Sequence, residues 1–216
     1  MYNIVFQNDH LVIVDKQALV LSVPSRIGEN ETRPVLGLRL ESDLGITLYP
    51  IHRLDYEVSG LIMFAKTPQA QKITNSWFEK KEVNKTYSAI SSPLVQNSEN
   101  LFNVGENYLW KCRLMRGKKR AYEAPHGKES VTKAKLIEVR NDFFHWELNP
   151  VTGRSHQLRY ELFRHGYPIV GDDLYSSTKK FELPGIALRA FKIDFQNTKN
   201  ADVLELPPFI EISKNN

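Results

Sequence analysis

Hydrophobic and polar positions in the first part of the chain predict two paired strands followed by a short helix. Asn3–Gln7 and Leu11–Asp15 are β-rich runs, and the turn-forming residues Asn8–His10 separate them. Pro34–Leu44 has a proline at a first-turn position and apolar residues near helical spacing, and Gly45 follows as a stop signal. We therefore expect a hairpin or paired strands, and then a helix that ends at about Leu44.

A second helix is predicted after Thr67-Pro68, because a capping residue followed by proline is typical of a helix start. The next run, Lys85–Ile90, alternates as a strand and places Tyr87 and Ala89 on one face. The helix has an apolar stripe that we expect to pack in the core, formed by Ala70, Ile73, Trp77 and Phe78.

The second half of the chain predicts a hairpin, a helix and a long strand. Thr132–Arg140 and Phe143–Leu148 have the pattern of two strands, with Asn141-Asp142 as their turn. Val151–Gly166 predicts a helix of about three turns, and Ile186–Phe195 predicts a final long strand. Because no repeat or linker interrupts this order, we expect one domain that spans residues 1–216.

The overall composition restricts the class of protein. The chain has 216 residues, a net charge of +4 and a pI near 9.0, which permits an anionic partner such as nucleic acid without requiring one. Its only cysteine, Cys112, excludes an internal disulfide framework and a multi-cysteine metal site. Since the sequence has no secretory leader and no apolar run of membrane length, we expect a cytoplasmic protein without membrane contact.

The stretch Ile51–Lys66 contains the most concentrated candidate chemistry. His52, Arg53 and Asp55 lie within four residues and precede the apolar run Leu61–Ala65. Polar, turn-forming residues before a short apolar strand place charged side chains at the edge of a sheet on rigid support. The alternative is a hairpin corner in which Asp55 only caps its own turn. These residues alone leave both interpretations open.

Two further stretches carry clustered cations. Arg113–Arg120 contains five cations in eight residues, which favours either a phosphate-contacting loop or a solvated face. Arg154, His156, Gln157 and Arg159 crowd the first turns of the predicted helix. Because cations at a helix N-terminus oppose the helix dipole, we expect an anion opposite them, either a phosphate or a carboxylate.

Several common catalytic motifs are absent from the sequence. There is no phosphate-binding G-x-x-x-x-G-K-[ST], no zinc-protease H-E-x-x-H and no hydrolase G-x-S-x-G. A metal could in principle be bound by His52, His156 and Asp55, but their spacing along the chain matches no standard metal site. The sequence therefore predicts no metal centre.

Five motifs, in order along the chain, resemble those of the RluA-type RNA pseudouridine synthases. His52-Arg53-Leu54-Asp55, followed by Ser59-Gly60, is similar to the family signature H-R-L-D-x-x-[TS]-S-G. The other four are similar to the family segments D-K-P-x-G-L-L-S-V-P, K-x-Y, T-G-R-[ST]-H-Q-[IL]-R and [HY]-P-I-x-G-D. Here these segments are Asp15-Lys16 with Leu21–Pro24, Lys85–Tyr87, Thr152–Arg159 and Tyr167–Asp172. The resemblance runs along nearly the whole chain.

The resemblance implies a reaction and a set of residue roles. Such an enzyme detaches the uracil of an RNA uridine at N1, turns the base and rejoins it through C5, without a metal or organic cofactor. Asp55 would be the catalytic carboxylate, either attacking the sugar or accepting a proton, and the sequence leaves both roles open. Tyr87 would stack on the extruded base, and Arg159 would pair with Asp55. Further substrate-binding candidates are Leu188 against the uracil ring, Arg53 in the gap left by the base, and His52, Arg154, His156 and Gln157.

The resemblance also implies a fold and an RNA partner. The expected architecture is α+β, a mixed and mostly antiparallel sheet with flanking helices and a central catalytic cleft, with basic loops such as Arg113–Arg120 at its rim. The substrate would be rRNA or tRNA, and we expect a monomer with no obligatory protein partner. Because no room remains for an N-terminal RNA-binding module, recognition is expected to come from the catalytic domain.

Some positions depart from the family pattern, and two other functions remain open. The departures are at Gln17, Leu19, Val58, Glu161 and Arg189, which surround the central residues without replacing them. A non-catalytic RNA-binding protein on the same fold is one alternative, and a glycosidic hydrolase is another. The hydrolase would need a second carboxylate as its acid, and only Glu57 and Glu161 lie near the motifs.

Overall fold

The computed structural model describes residues 1–25, 30–95, 102–199 and 201–214. The chain divides into two compact units, which are described separately. Unit 1 comprises Met1–Asn84 and Ala190–Asn216, and unit 2 comprises Lys85–Arg189. The expectation of a single domain over residues 1–216 stays a prediction.

Three α-helices and eleven β-strands lie in the described part of the chain, so the fold is α+β as expected. The helices are α1 (Leu36–Leu44), α2 (Pro68–Glu79) and α3 (Gln157–Arg164). The strands are β1 (Tyr2–Gln7), β2 (Leu11–Lys16), β3 (Tyr49–Pro50), β4 (Ser59–Ala65), β5 (Asn84–Ser91), β6 (Asn107–Arg116), β7 (Ala121–Glu123), β8 (Lys128–Arg140), β9 (Phe143–Pro150), β10 (Leu188–Asp194) and β11 (Phe209–Glu211).

Unit 1 is a sheet in the order β1-β2-β4-β10, with β3 beside β4 and β11 beside β10. β2 pairs antiparallel with β1 and with β4, which confirms the predicted pair of strands around Asn8–His10. β4 is buried along its whole length. The core of the unit contains Leu11 and Ile13 of β2, Leu61 and Met63 of β4, and Trp77 of α2.

In unit 1 the end of α1 and the start of α2 lie at the predicted signals, whereas α1 begins at Leu36, two residues after the predicted Pro34. α1 ends at Gly45, which has φ 67° and donates its amide to the Glu41 carbonyl. This left-handed conformation suits glycine, which has no Cβ to clash. At the start of α2 the Thr67 side chain accepts a hydrogen bond from the Ala70 amide at 3.1 Å. The predicted cap and the apolar stripe of α2 are thus confirmed.

Unit 2 is an antiparallel sheet in the order β5-β9-β8-β6-β7. One face is packed against α3, which lies on β7, β8 and β9. The β8–β9 hairpin turns at Asn141 and Asp142, whose φ values of 50° and 64° correspond to the turn that fits tightly paired strands. β5 includes the predicted strand Lys85–Ile90, and both Tyr87 and Ala89 are buried.

Two predicted elements are shorter than expected. The helix predicted within Val151–Gly166 begins only at Gln157 and has about two turns rather than three. His156, directly before it, has φ 53°, which is not helical, and the preceding residues form turns. The strand predicted at Ile186–Phe195 is β10, which spans Leu188–Asp194 and is followed by the further strand β11.

Among the described residues, no helix combines the length and apolar character that a membrane span needs.

Candidate active site

The residues assigned to the site fall in both units. His52, Arg53 and Asp55 belong to unit 1, and the others belong to unit 2, namely Tyr87, Arg154, His156, Gln157, Arg159 and Leu188.

Asp55 lies in a turn that immediately precedes the buried strand β4. The Val58 amide donates to the Asp55 carbonyl at 3.2 Å and closes this turn. The Ser22 hydroxyl accepts from the Leu54 amide at 3.0 Å and donates to the Leu54 carbonyl at 2.9 Å. The Leu19 amide donates to the Tyr56 carbonyl at 2.8 Å. The half-buried Asp55 is therefore carried on a backbone that is bonded on both sides to the 19–22 segment.

The strand after this turn passes very close to β10. Gly60 has φ 114°, and a Cβ on this residue would lie 2.2 Å from the carbonyl oxygen of Ala190. No side chain fits at such a distance, so only glycine allows this approach. The glycine of the Ser-Gly pair thus has a physical reason in unit 1, which is to let two strands come together beside the Asp55 turn.

Lys16 is a further functional candidate. It belongs to one of the family motifs, but no role was predicted for it from the sequence. Its side chain is fully buried, and Nζ donates to the carbonyls of Gln17 at 3.0 Å and Val20 at 2.8 Å. Burial lowers the pKa of Lys16 to about 8, while the negative charges of Asp55 and Glu57 oppose this decrease. A buried cation therefore lies within electrostatic range of Asp55. The only sequence signal for it was a lysine at the end of a strand that begins with four apolar residues.

His52 and Arg53, next to the turn, have contrasting environments. The Met63 amide donates to His52 Nε2 at 3.3 Å, and the imidazole stacks on Phe78 with ring centroids 5.2 Å apart. Since Nε2 accepts this bond, the neutral ring carries its proton on Nδ1. Arg53 is exposed. The histidine is thus anchored to the sheet of unit 1, whereas the arginine extends into solvent.

Arg159 lies in the first turn of α3 and is almost completely buried. Its Nε and Nη2 donate to the two carboxylate oxygens of Asp172 at 2.7 and 2.8 Å, with both side chains 1 % exposed. The anion expected opposite the cations of this helix is therefore, for Arg159, a carboxylate. Such a two-bond pair fixes the plane of the guanidinium. The predicted pairing of Arg159 with Asp55 stays a prediction, and the Asp172 pair uses two of the three guanidinium nitrogens.

The three polar residues before and at the start of α3 are held within unit 2. The side-chain oxygen of Gln157 accepts hydrogen bonds from Thr152 Oγ1 and from the backbone amide of Arg154. Its side-chain nitrogen donates to the Val131 carbonyl and to Thr132 Oγ1. Gln157 therefore joins the 152–154 turn to β8. Arg154 Nε donates to the carbonyl of Glu129 at 2.8 Å. His156 has left-handed backbone geometry, and its Nδ1 lies 3.3 Å from the Tyr175 hydroxyl.

Tyr87 and Leu188 are both buried. Tyr87 is paired with Leu148 in the β5–β9 ladder. Leu188 opens β10, where its amide donates to the Ile186 carbonyl at 2.7 Å. Both side chains are therefore carried by strands.

Glu161, one of the departures from the family pattern, belongs to a buried polar cluster. Its carboxylate accepts from Arg164 Nε at 2.6 Å and from Cys112 Sγ at 3.3 Å. Burial raises the pKa of Glu161, raises that of Cys112 to about 12 and lowers that of His165 to about 4. The Arg164 pairing gives Glu161 a structural role within unit 2. Arg189, another departure, is buried.

The basic run of the sequence forms a hairpin. We call Gly117–Arg120, between β6 and β7, the basic tip; the Gly117 amide donates to the Arg120 carbonyl at 2.9 Å and closes it. All five cations of the run are exposed. Arg120 is directed back onto the unit, since its guanidinium lies 5.9 Å from the Phe163 ring and Nη1 is 3.4 Å from the Leu174 carbonyl.

A search of the described residues finds no group of three histidine, cysteine, aspartate or glutamate side chains that could hold a metal ion.

An α+β fold that carries an acidic turn and an exposed basic hairpin is compatible with an enzyme that acts on nucleic acid. The family described as RNA pseudouridylate synthase matches residues 10–164, and the chain belongs to this family.

Curated relatives agree with this assignment. The dual-specificity RNA pseudouridine synthase RluA of Yersinia pestis is 33% identical over 174 residues, which cover 80% of this chain and 81% of the relative. The protein of the same name from Escherichia coli K12 is 34% identical over 179 residues, covering 81% and 77%. The one from Haemophilus influenzae is 32% identical over 190 residues, covering 87% and 84%.

Solved structures agree on the fold. Human RNA pseudouridylate synthase domain containing 1 superposes with a TM-score of 0.73 at 20% identity, covering 100% of this chain and 84% of that one. Human RNA pseudouridylate synthase domain containing 4 gives 0.71 at 19% identity, covering 98% and 88%. The α+β expectation and the resemblance to RluA-type enzymes are confirmed.

The chain is therefore an RNA pseudouridine synthase, an isomerase whose substrate is RNA. No comparison favours the non-catalytic RNA-binding alternative.

Proposed function

We propose that this isomerase converts uridines of rRNA or tRNA to pseudouridine with Asp55 as the catalytic carboxylate and Tyr87 and Arg159 as its partners. The observation that carries the proposal is the Asp55 turn. Its backbone is bonded to the 19–22 segment on both sides, and the buried cation of Lys16 lies within electrostatic range. A carboxylate held in this way is supported by rigid structure, as a catalytic group requires.

Asp55 would act in one of two ways. As a nucleophile it would bond to the sugar carbon while the bond to uracil N1 breaks, and the returning C5 would displace it. As a base it would accept a proton from the substrate. Both routes end with a sugar–C5 bond, loss of the C5 proton and a proton on N1. Both need the carboxylate in its ionised form, and the side chain of Lys16 lies within electrostatic range of it.

A target base within RNA structure must leave its stack before a carboxylate can reach it, which costs a few kcal/mol. We propose that Tyr87 stacks on the extruded uracil and that Leu188 packs against it, since aromatic and apolar faces offset this cost. Arg53, which is exposed, would fill the gap that the base leaves. The anchored His52 would contribute to the same substrate surface.

The RNA backbone would be bound by cations of unit 2. Arg154, His156 and the basic tip are the proposed contacts, because phosphates supply most of the affinity of nucleic-acid complexes. Gln157 has four hydrogen bonds inside the unit, so its contribution to substrate binding would be to hold the turn that carries Arg154. Arg159 would combine its Asp172 pair with the predicted pairing to Asp55.

The target and the cellular setting belong to the proposal. The curated relatives are named dual-specificity enzymes, so we propose that this chain also accepts more than one RNA target. We further propose a monomer in the cytoplasm that acts without an obligatory protein partner. Mapping pseudouridines in total RNA from cells with and without the protein would identify the targets.

The test of the catalytic proposal uses RNA that carries tritium at uracil C5. An isomerase releases tritium without freeing uracil, a hydrolase frees uracil, and a pure RNA-binding protein does neither. The wild-type protein should release tritium, and Asp55→Asn should release none while binding the same RNA with near-normal affinity. Full turnover by Asp55→Asn would exclude the proposed role.

A further inference from the structure

Tyr175 occupies a central position in unit 2 that none of the assigned roles explains. It ends the 3-10 helix Asp173–Tyr175 and is fully buried. Its hydroxyl accepts from the Ala121 amide at 2.8 Å and lies 3.2 Å from the Ala121 carbonyl. Ala121 is the first residue of β7 and directly follows the basic tip. One buried hydroxyl therefore holds both backbone groups of the residue at which the tip rejoins the sheet.

The same hydroxyl contacts His156, which lies 3.3 Å away through Nδ1. A phenol has one proton to donate and can accept from more than one donor. If His156 donates from Nδ1, the phenol oxygen accepts from both His156 and Ala121 while its own proton goes to the Ala121 carbonyl. All three contacts are then satisfied at once. This arrangement fixes the imidazole and the start of β7 together.

The ring of Tyr175 faces the candidate catalytic arginine. The Arg159 guanidinium lies 5.5 Å from the ring centroid, and the Phe163 ring lies 5.7 Å away. Asp172, which holds Arg159 through two bonds, is the residue directly before this 3-10 helix. The hydroxyl of Tyr175 thus contacts the residue that follows the basic tip, while its ring contacts Arg159. One side chain therefore connects the tip to the arginine.

Arg120 provides a second connection between the same regions. Its guanidinium reaches the Leu174 carbonyl, one residue before Tyr175, and lies over Phe163 of α3. The C-terminal end of the basic tip is therefore joined to α3 and to the 3-10 helix through two consecutive residues, Arg120 and Ala121.

We propose that Tyr175 is a positioning residue that fixes the basic tip relative to Arg159, so that capture of the RNA backbone and alignment of the arginine depend on one side chain. The inference deepens the proposed function and rests on it, because it requires the tip to contact RNA. The hydroxyl controls the tip and His156, while the ring supports Arg159. RNA affinity and turnover should therefore respond differently to loss of the hydroxyl.

The test is Tyr175→Phe, which keeps the ring and removes the hydroxyl. The Kd for a substrate RNA should increase about fivefold, because the tip and His156 lose the hydroxyl that holds them, while kcat at saturating RNA stays within about twofold. Tyr108→Phe is the matched control, because its hydroxyl serves Glu106 and Asn103, also in unit 2, and its Kd should not change. A purely structural role would not separate Kd from kcat in this way.

A double-mutant cycle with Lys118→Ala makes the test specific. If Tyr175 positions the tip, Lys118→Ala should weaken RNA binding less in the Tyr175→Phe background than in the wild type. Additive effects, or a wild-type Kd for Tyr175→Phe, would overturn the inference. If Lys118→Ala and Lys119→Ala together leave the Kd of the wild type unchanged, the tip does not bind RNA, which overturns the proposed RNA contact and this inference with it.

Hydrogen exchange in the wild-type protein covers the case in which Tyr175→Phe does not fold. The Ala121 amide, which donates to the Tyr175 hydroxyl, should exchange as slowly as amides within α3. Exchange as fast as that of exposed turn amides would show that the tip is not fixed at this point and would contradict the inference.

Discussion

The Asp55 turn of unit 1 and the Arg159 region of unit 2 are held in different ways. The turn is held through hydrogen bonds to its backbone groups, two of them from the Ser22 hydroxyl, and through the close approach of two strands at Gly60. Arg159 is held by side chains, through a buried ion pair with Asp172 and the ring of Tyr175. A backbone-held group should tolerate most side-chain changes around it and fail when strands are forced apart. A side-chain network should fail when a single polar partner is removed.

The largest effect is expected for Gly60→Ala, which tests the backbone-held region. A Cβ would lie 2.2 Å from the Ala190 carbonyl oxygen on a residue with φ 114°, so β4 and β10 would have to separate. We expect little soluble folded protein, as judged by circular dichroism and gel filtration. Gly153→Ala is the control, since its Cβ would meet nothing within 4 Å. A Gly60→Ala protein as stable as the control would show that the two strands are not in close contact.

The next effect is expected for Asp172→Asn, which tests the side-chain network. Loss of the carboxylate charge leaves the buried Arg159 guanidinium without its anion, and breaking a buried pair costs about 3–5 kcal/mol. Urea denaturation should show a free energy of unfolding lower by about this amount. Asp173→Asn changes an exposed neighbouring carboxylate and should leave stability nearly unchanged. Equal stabilities of the two variants would argue that the pair is not buried.

A smaller and pH-dependent effect is expected for Lys16→Met. Burial lowers the folded-state pKa of Lys16 from 10.5 to about 8, so between these pH values the unfolded chain binds more protons than the folded one. The free energy of unfolding should therefore rise with pH in this window, and Lys16→Met should reduce the rise. Part of the rise should remain, because burial also lowers the pKa of Lys85 to about 8.

Denaturation of the wild type and Lys16→Met at pH 7.5 and 9.5 would check this. Lys72→Met, at an exposed position of α2, should behave as the wild type. Identical pH profiles for Lys16→Met and the wild type would mean that Lys16 is not buried in its charged form. A reduced kcat for Lys16→Met at pH 7.5 would further link its charge to Asp55.

The smallest effect is expected for the exposed tip lysines. Removing Lys118 and Lys119 together should reduce the slope of log affinity against log salt concentration by about 1.4–1.8, because each phosphate contact contributes about 0.7–0.9. The measurement is a filter-binding titration of RNA at several salt concentrations. Lys80→Ala with Lys81→Ala, in unit 1 after α2, is the charge-matched control. An unchanged slope for the tip variant would show that these lysines are solvated and do not contact the RNA backbone.

Much of the fold could be predicted because local patterns determined it. The hairpin turn at Asn141-Asp142, the Thr67 cap and the Gly45 stop each depend on neighbouring residues only. The predicted start of α3 was wrong because the side chains of Gln157 and Thr152 hold the preceding residues in turns. Helical spacing alone does not reveal such a competing set of hydrogen bonds.

The candidate site was predicted less completely than the fold. The family motifs identified Asp55, Tyr87 and Arg159 as candidates, and the charge pattern of α3 predicted an anion opposite its cations. Which residue supplies that anion depends on a contact between residues 159 and 172 that spacing does not indicate. The burial of Lys16 and the contact of Tyr175 with Ala121 are likewise tertiary features, visible only once the strands are assembled.

The most direct test of the central claim is the single-turnover yield of pseudouridine from one RNA saturated with either wild-type protein or Asp55→Asn. Nucleosides from digested RNA would be separated and quantified by chromatography, with RNA affinity measured on the same preparations. We predict complete conversion by the wild type, and no pseudouridine with Asp55→Asn despite similar affinity. Equal pseudouridine yields from the two proteins would contradict the assignment of Asp55 as the catalytic carboxylate.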